Sequence, residues 1–235
     1  MSRKLCTQII LLIVYTLTLV WFLFFYHRIQ QALQWWSYRQ SIKLFVEAEK
    51  IRDDLLQDSF SIRRNLDILS TDNINLSINK TQDFLQKIDY FHQSLVSLSD
   101  RLFPFHLQYS LPLAIGCLLE PWHTSNPHLY FHIDMPVEWR NETAKHSLIV
   151  LITVEELLTM TLPELIMPIS IHIYLKQEKN LSNLKIEITY PDLSTLITYS
   201  TLPELQYLCD SFCFLTSGKC FRRTKNLRVA WDFRW

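Results

Sequence analysis

Residues 5–26 form a run of 22 residues without a formal charge, in which Gln8 is the sole amide. As a helix rising 1.5 Å per residue, such a run reaches about 33 Å, enough for a hydrocarbon core of roughly 30 Å. Arg3 and Lys4 precede it, His27 and Arg28 follow, and Trp21, Phe22, Phe24, Phe25 and Tyr26 crowd its C-terminal end. Aromatic residues collect in this way at a membrane–water interface. A cleaved signal peptide has a shorter apolar run that ends in small residues. The run therefore predicts an uncleaved anchor over residues 1–28 and a single-pass chain. The basic residues flanking it are nearly balanced, with Arg28, Arg39 and Lys43 against Arg3, Lys4 and the α-amine, so charge bias fixes no orientation.

Glycine is the second constraint. The 235 residues contain two, Gly116 and Gly218, too few for any glycine-rich phosphate-cradling loop or a G-x-S-x-G nucleophile elbow. Twenty-three basic side chains balance 23 acidic ones, which gives no electrostatic basis for nucleic-acid binding. The five cysteines, at 6, 117, 209, 213 and 220, are odd in number and lack a CxxC, the pattern of buried thiols in a reducing compartment. Asn75, Asn79, Asn141 and Asn180 head Asn-x-Ser/Thr sequons, which would carry glycans only in a secreted setting.

Residues 27–40 read as an amphipathic, tryptophan-rich helix leaving the membrane. From 41 to 69 the chain has no proline or glycine, and Ala48, Ile51, Leu55, Ile62, Leu66 and Leu69 follow a heptad-like seam. Residues 70–79 are polar and predict a turn. Phe84, Ile88, Phe91, Leu95, Leu98 and Leu102 make a second seam. Two helices cannot cover both seams, so the hairpin of 29–103 is expected to dimerise as a four-helix bundle, the alternative being a pair packed within one domain.

Beyond Pro104 the texture changes. A short helix is expected at 107–119, strands at 129–134, 169–175, 184–189 and 227–233, and helices at 142–162 and 203–215. The fold class is α+β, with 104–235 a two-layer sandwich of one sheet under helices.

Several stretches then resemble the bacterial sensor histidine kinases, whose dimerising hairpin leads into a GHKL-type ATP-binding domain. EKIRDDLLQDSFSIRRNL (49–66) resembles the phosphoacceptor helix, and RLFPFHLQYSLPLAIGCLL (101–119) the segment leaving the hairpin. VEELLTM (154–160) stands where the family has x-Q-E-A-L-T-N. LQYLCDSFCFLTSGKCF (205–221) and NLRVAWDF (226–233) are similar to the last helix and closing strand pair. The resemblance implies a cytoplasmic C-terminal domain on a bacterial-type inner membrane or a thylakoid membrane.

The family's functional positions depart from its pattern. The phosphoacceptor histidine falls on Gln57, whose amide nitrogen has no lone pair for a phosphoryl group, while the acidic neighbour is kept as Asp58. The phosphatase residue falls on Ile62. Glu156 matches the N-box acid, but the Mg²⁺-holding asparagine falls on Met160, and a thioether is too soft for Mg²⁺. The following basic pair falls on Pro163 and Glu164. The adenine-binding aspartate aligns with Tyr190; Asp192 is two residues late, and the glycine-rich lid is replaced by 193–202 without a glycine.

These departures predict no catalytic, cofactor-binding or metal-binding residue, and a protein-binding modulator or scaffold in signalling. By the resemblance, a response regulator would dock at Asp58, Ser59, Ile62 and Arg63. The expected partners are a second copy, a sensor kinase, a response regulator or a membrane complex, together with the bilayer. The competing reading is assembly of a membrane complex, or an enzyme whose active site has moved to His128, His132 and Asp134. Period-2 alternation would put those three on one sheet face, with His123 and Glu120 nearby. Cys209, Cys213 and Cys220 read as helix and hairpin core rather than a metal site.

Overall fold

The computed structural model describes residues 2–71, 78–139, 142–162, 167–178 and 181–235. The expected turn over 70–79, the sequons at Asn75, Asn141 and Asn180, the Asn79 side chain, and Pro163 and Glu164 lie wholly or mainly outside those residues. The chain divides into two compact units, one of 1–37 with 110–235 and one of 38–109.

Helix α1 spans Ser2–Lys50. Within it lies the one helical segment, among the described residues, long and apolar enough to cross a membrane; Leu11, Leu12, Trp21, Phe22 and Phe24 are all exposed.

In the unit of 38–109, a π-helical turn at Ile51–Leu55 precedes α2 (Leu56–Thr71), and α3 runs Ile78–Leu102. The π turn inserts an extra residue into the helical ladder and rotates the following face. It lies inside the first predicted seam, where Leu55 is buried while Ala48 and Leu66 are exposed. On α3, Leu98 is buried and Phe84, Ile88 and Phe91 are half-buried.

In the other unit, α4 (Leu111–Ser125) follows a 3₁₀ turn at Phe105–Gln108, so the expected helix at 107–119 begins later and runs past Pro121. Then come β1 (Leu129–Asp134), α5 (Ala144–Thr161), β2 (Ile169–Glu178), β3 (Leu181–Thr189), α6 (Leu193–Ser200), α7 (Glu204–Thr216), β4 (Lys219–Lys225) and β5 (Arg228–Arg234). The sheet order is β1-β2-β3-β5-β4, with β1 parallel to β2 and the other pairs antiparallel, which leaves β1 and β4 as edges. β1 and β2 are joined through α5, as a parallel pair requires a crossover connection.

Alternation decides the layers. Ile169, Ile171, Ile173 and Leu175 of β2, Leu184, Ile186 and Ile188 of β3, and Val229, Trp231 and Phe233 of β5 are buried, while the residues between them on β2 and β5 are half-exposed. One face of the sheet therefore carries the core. α5 is buried along most of its length, and its Thr153 hydroxyl donates to the Ile149 carbonyl at 2.7 Å, satisfying a polar group that would otherwise be stranded in the core.

Residues 28–35 of α1 pack on α7. Arg28, Ala32 and Trp35, at helical steps of four and three, share one face. They meet Asp210, Ser211 and Tyr207: Arg28 donates from Nε and Nη2 to both Asp210 carboxylate oxygens at 2.6 Å. The Ser211 hydroxyl donates to the Ala32 carbonyl at 2.9 Å, and the Trp35 and Tyr207 rings lie 6.4 Å apart. Small side chains at Ala32 and Ser211 let the two helices approach. Residues 29–37, grouped with the hairpin by sequence, belong to the sheet-bearing unit.

The segment 193–202, read from sequence as a connection, folds as α6. Its cause is local: Asp192 caps the helix, accepting from the Thr195 backbone N–H at 2.9 Å. The edge strand β4 was implied by the resemblance alone, because KCFRRTK has no apolar alternation.

Candidate functional site

The C-terminal turn of α5, the end of β3 and the start of α6 come together, and they carry four of the residues singled out in the sequence. Glu156 is fully buried on α5 and Met160 is half-buried in its last turn. Tyr190 directly follows β3 and is 1% exposed, and its hydroxyl donates to the Thr161 carbonyl at 2.9 Å. This bond satisfies one of the last carbonyls of α5, which have no partner within the helix. Burial pushes the Tyr190 phenol above its ordinary value, so the ring stays neutral and the hydroxyl remains a donor.

Asp192 is engaged locally. Its carboxylate accepts from the Thr195 backbone N–H at 2.9 Å, the Ser194 hydroxyl at 2.7 Å and the Thr195 hydroxyl at 2.8 Å. These bonds, the backbone one foremost, hold the acid down at about 2. The residue two places after the expected aspartate is thus a helix cap, and nothing in the sequence spacing alone distinguished that role from a displaced ligand. Asp-x-Ser-Thr ahead of an apolar segment is a capping signal that could have shown it.

In the other unit, Gln57 and Ser59 of α2 are exposed, Arg63 is exposed, and Asp58 and Ile62 are half-buried. The candidate docking residues therefore sit partly in solvent on one short stretch of helix.

The second cluster lies on the open sheet face. His132 of β1 pairs in register with His172 of β2, which pairs with Glu187 of β3, and the two imidazoles stack at 4.5 Å. His172 is bracketed by the Ser170 hydroxyl at 3.2 Å and the Tyr174 hydroxyl at 3.3 Å. Burial, then the His132 and Arg228 charges, push its pKa down against the pull of Glu187. Glu187 is ion-paired to Lys185 and to Arg228, the latter at 3.3 Å. Burial alone would raise its carboxyl, but the hydrogen bond and charge of Lys185 and the charge of Arg228 outweigh it, and the net shift is downward.

Of the relocated-site residues, His132 and Asp134 point outward from β1, whereas His128 precedes the strand and accepts a backbone bond from Ile169 at 3.2 Å. Among the described residues no group of three or more His, Cys, Asp or Glu side chains is arranged to hold a metal ion. The neighbour that sequence reading missed is His172. Its outward direction was legible in ISIHIYL, but its pairing with His132 depends on strand register.

A groove of about 440 Å³ runs along α1, lined by Phe22, Phe25, Tyr26, Ile29, Leu33 and Phe214 among others. Its lining contains no charged side chain, so it offers nothing to a phosphate.

No protein-family model and no curated protein matches the chain. Among solved structures it is similar to the Acinetobacter baumannii histidine kinase AdeS, at a TM-score of 0.38 and 11% identity over 77% of this chain and 95% of that one. It is also similar to a histidine kinase from Burkholderia phymatum STM815, at 0.40 and 10% over 76% and 94%. A third neighbour is histidine kinase ThkA in complex with the response regulator protein TrrA, at 0.41 and 10% over 84% and 65%.

Proposed function

We propose that the chain is a membrane-anchored, catalytically inactive relative of the sensor histidine kinases that acts by binding protein partners, as a modulator or scaffold. The observation that carries the reading is Tyr190. At the position that the motif resemblance gives to the adenine-binding acid, a neutral aromatic ring fills the interior and spends its hydroxyl on the end of α5. An adenine amino group needs a reachable acceptor there, and Tyr190, neutral and buried with its hydroxyl enclosed against the Thr161 carbonyl, offers no carboxylate.

Other side chains support the same reading. Met160 gives a Mg²⁺ ion no hard oxygen ligand, Asp192 is consumed in capping α6, and Gln57 cannot be phosphorylated as imidazole is. An adenine nucleotide with its Mg²⁺ does not fit this set of residues.

The mechanism we assign is presentation of a surface. The hairpin of 38–109 exposes Leu66, Leu95 and Leu102 from its two predicted seams, which supports pairing with a second hairpin, in a homodimer or with a sensor kinase. Asp58, Ser59, Ile62 and Arg63 would then offer a response regulator a docking edge that transfers no phosphate. The α1 segment would hold this assembly at the bilayer.

The test is nucleotide binding by the full chain in mild detergent. We expect no change in unfolding temperature at 1 mM ATP with Mg²⁺ and no ATP-dependent labelling. A ligand present at a hundredfold its Kd stabilises the folded state by about 2.7 kcal/mol. A clear upward shift, saturating in the micromolar range, would overturn the proposal.

A further inference from the structure

Three cysteines converge where α7 meets β4. Cys209 and Cys213 stand one turn apart on α7, and Cys220 lies on β4 after a tight reversal at Ser217 and Gly218. Ser217 takes a left-handed conformation with φ 55°, and a Cβ on Gly218 would collide with the Arg234 carbonyl. The missing Cβ thus allows β4 to turn back directly against the last turns of the helix. It brings the Cys220 sulfur to 2.6 Å from that of Cys209. A disulfide joins sulfurs at about 2.05 Å, so a small displacement separates this pair from a bond.

Two of the three sulfurs are reachable from solvent. Cys209 is buried, whereas Cys213 and Cys220 are half-buried and open a route to a small reactant. The backbone N–H of Cys220 bonds the Cys213 sulfur, and the Arg28 guanidinium acts electrostatically on Cys209 and Cys213. All three cysteines are free thiols.

We propose that Cys209 and Cys220 are a reversible thiol–disulfide pair that exchanges with small-molecule disulfides of the glutathione class. Cys220, as thiolate, attacks one sulfur of the small disulfide and releases the other half, which takes up the proton Cys220 gave up. The Cys209 sulfur, losing its own proton, then displaces the second half from Cys220. Two protein thiols are oxidised by two electrons, and one small disulfide is reduced to two thiols. The closed bond ties α7 to β4 beside Asp210, the residue that holds Arg28 of α1, so the packing of residues 28–35 rests on a clamped rather than a free helix.

The hydrogen bond to Cys209 and burial push the Cys220 thiol above its ordinary value, which makes the first exchange slow at neutral pH and faster as pH rises. The test uses the full chain in mild detergent, equilibrated with glutathione couples from fully reduced to tenfold oxidised. It is then acid-quenched, denatured, alkylated and weighed by mass spectrometry.

We expect the oxidised protein to take up two fewer alkylating groups than the reduced one. Cys213→Ser should keep this change, whereas Cys209→Ser and Cys220→Ser should each reduce the disulfide at least tenfold at the same redox ratio. The rate of closure should rise from pH 7 to pH 9. Full alkylation at every ratio would overturn the proposal, as would equal disulfide in Cys209→Ser, or a stoichiometric zinc ion released only when the thiols are modified. Circular dichroism on each variant, matching the parent, keeps a lost disulfide distinct from a lost fold. Neither outcome depends on whether the chain binds nucleotide.

Discussion

The sheet-bearing unit and the hairpin unit bury their apolar residues to different degrees. In the first, Trp231, Phe212, Phe233, Leu157, Ile171 and Ile186 are fully buried, and the core is closed by the unit's own helices and strands. In the second, Leu55, Leu98 and Leu107 are the buried apolar side chains among the described residues, while Phe60, Leu66, Leu85, Leu95, Val96 and Leu102 are exposed. A sheet with helices on one face encloses a volume, whereas two helices share a single line of contact. The seams are therefore an unfinished interface, whereas the sheet-bearing unit closes its core with its own elements.

Cutting into each core gives the largest separation between the two. Phe212 packs edge-on against Phe233 at 5.0 Å and against Trp235 at 6.1 Å. Phe212→Ala should cost about 3–5 kcal/mol in denaturant unfolding, as full removal of a buried aromatic does. Leu95→Ala on the exposed seam should cost less than about 0.5 kcal/mol in the monomer. If both variants lose the same stability, the hairpin core is as closed as the other and the contrast fails.

The two glycines offer a second test within one unit. Gly218→Ala pushes a methyl into the Arg234 carbonyl and should destabilise by about 1–3 kcal/mol. Gly116 lies on α4 with nothing within 4 Å of an added Cβ, so Gly116→Ala should stabilise by up to about 1 kcal/mol. Equal signs from the two substitutions would contradict the packing described for the α7–β4 turn.

Tyr190→Phe removes only the bond to the Thr161 carbonyl. It should cost about 1–2 kcal/mol, including the acceptor left unpaired, without restoring nucleotide binding. A neutral result would mean that the carbonyl finds another donor.

The smallest effect is a pH dependence on the open face. His172 has its pKa depressed, so the unfolded chain binds the proton more readily than the folded one. Above the ordinary histidine value of about 6.5 the group contributes no difference. Stability falls as pH drops below that value, until the folded-state histidine is also protonated. His132, Tyr174, Glu187, Lys185 and Arg228 all face the ring or its neighbours, and His172→Gln should flatten the fall in unfolding temperature between pH 7.5 and 5.5. An unchanged slope in that variant would assign the effect elsewhere.

The strands that sequence reading found were those with apolar alternation. β1 was placed at Leu129–Asp134, and β2, β3 and β5 differ from expectation only at their ends. β4 is not legible by itself because an exposed edge strand needs no apolar face, and the local signal for α6 is the single cap at Asp192. Positions at the candidate site were legible, but roles were not. Tyr190 bonds a residue 29 positions away and His172 stacks on a strand 40 residues earlier, both set by tertiary register.

The two borders of the sheet are chemically unequal. β4 presents Lys219, Arg222, Arg223 and Lys225 among its seven residues, while β1 has no lysine or arginine and one carboxylate, Asp134. Rows of like charge oppose strand addition, since a second β4 would arrive with the same four cations. The β1 border has no such guard. Strand addition to this sheet is thereby directional: an incoming strand would meet four cations at β4 and none at β1.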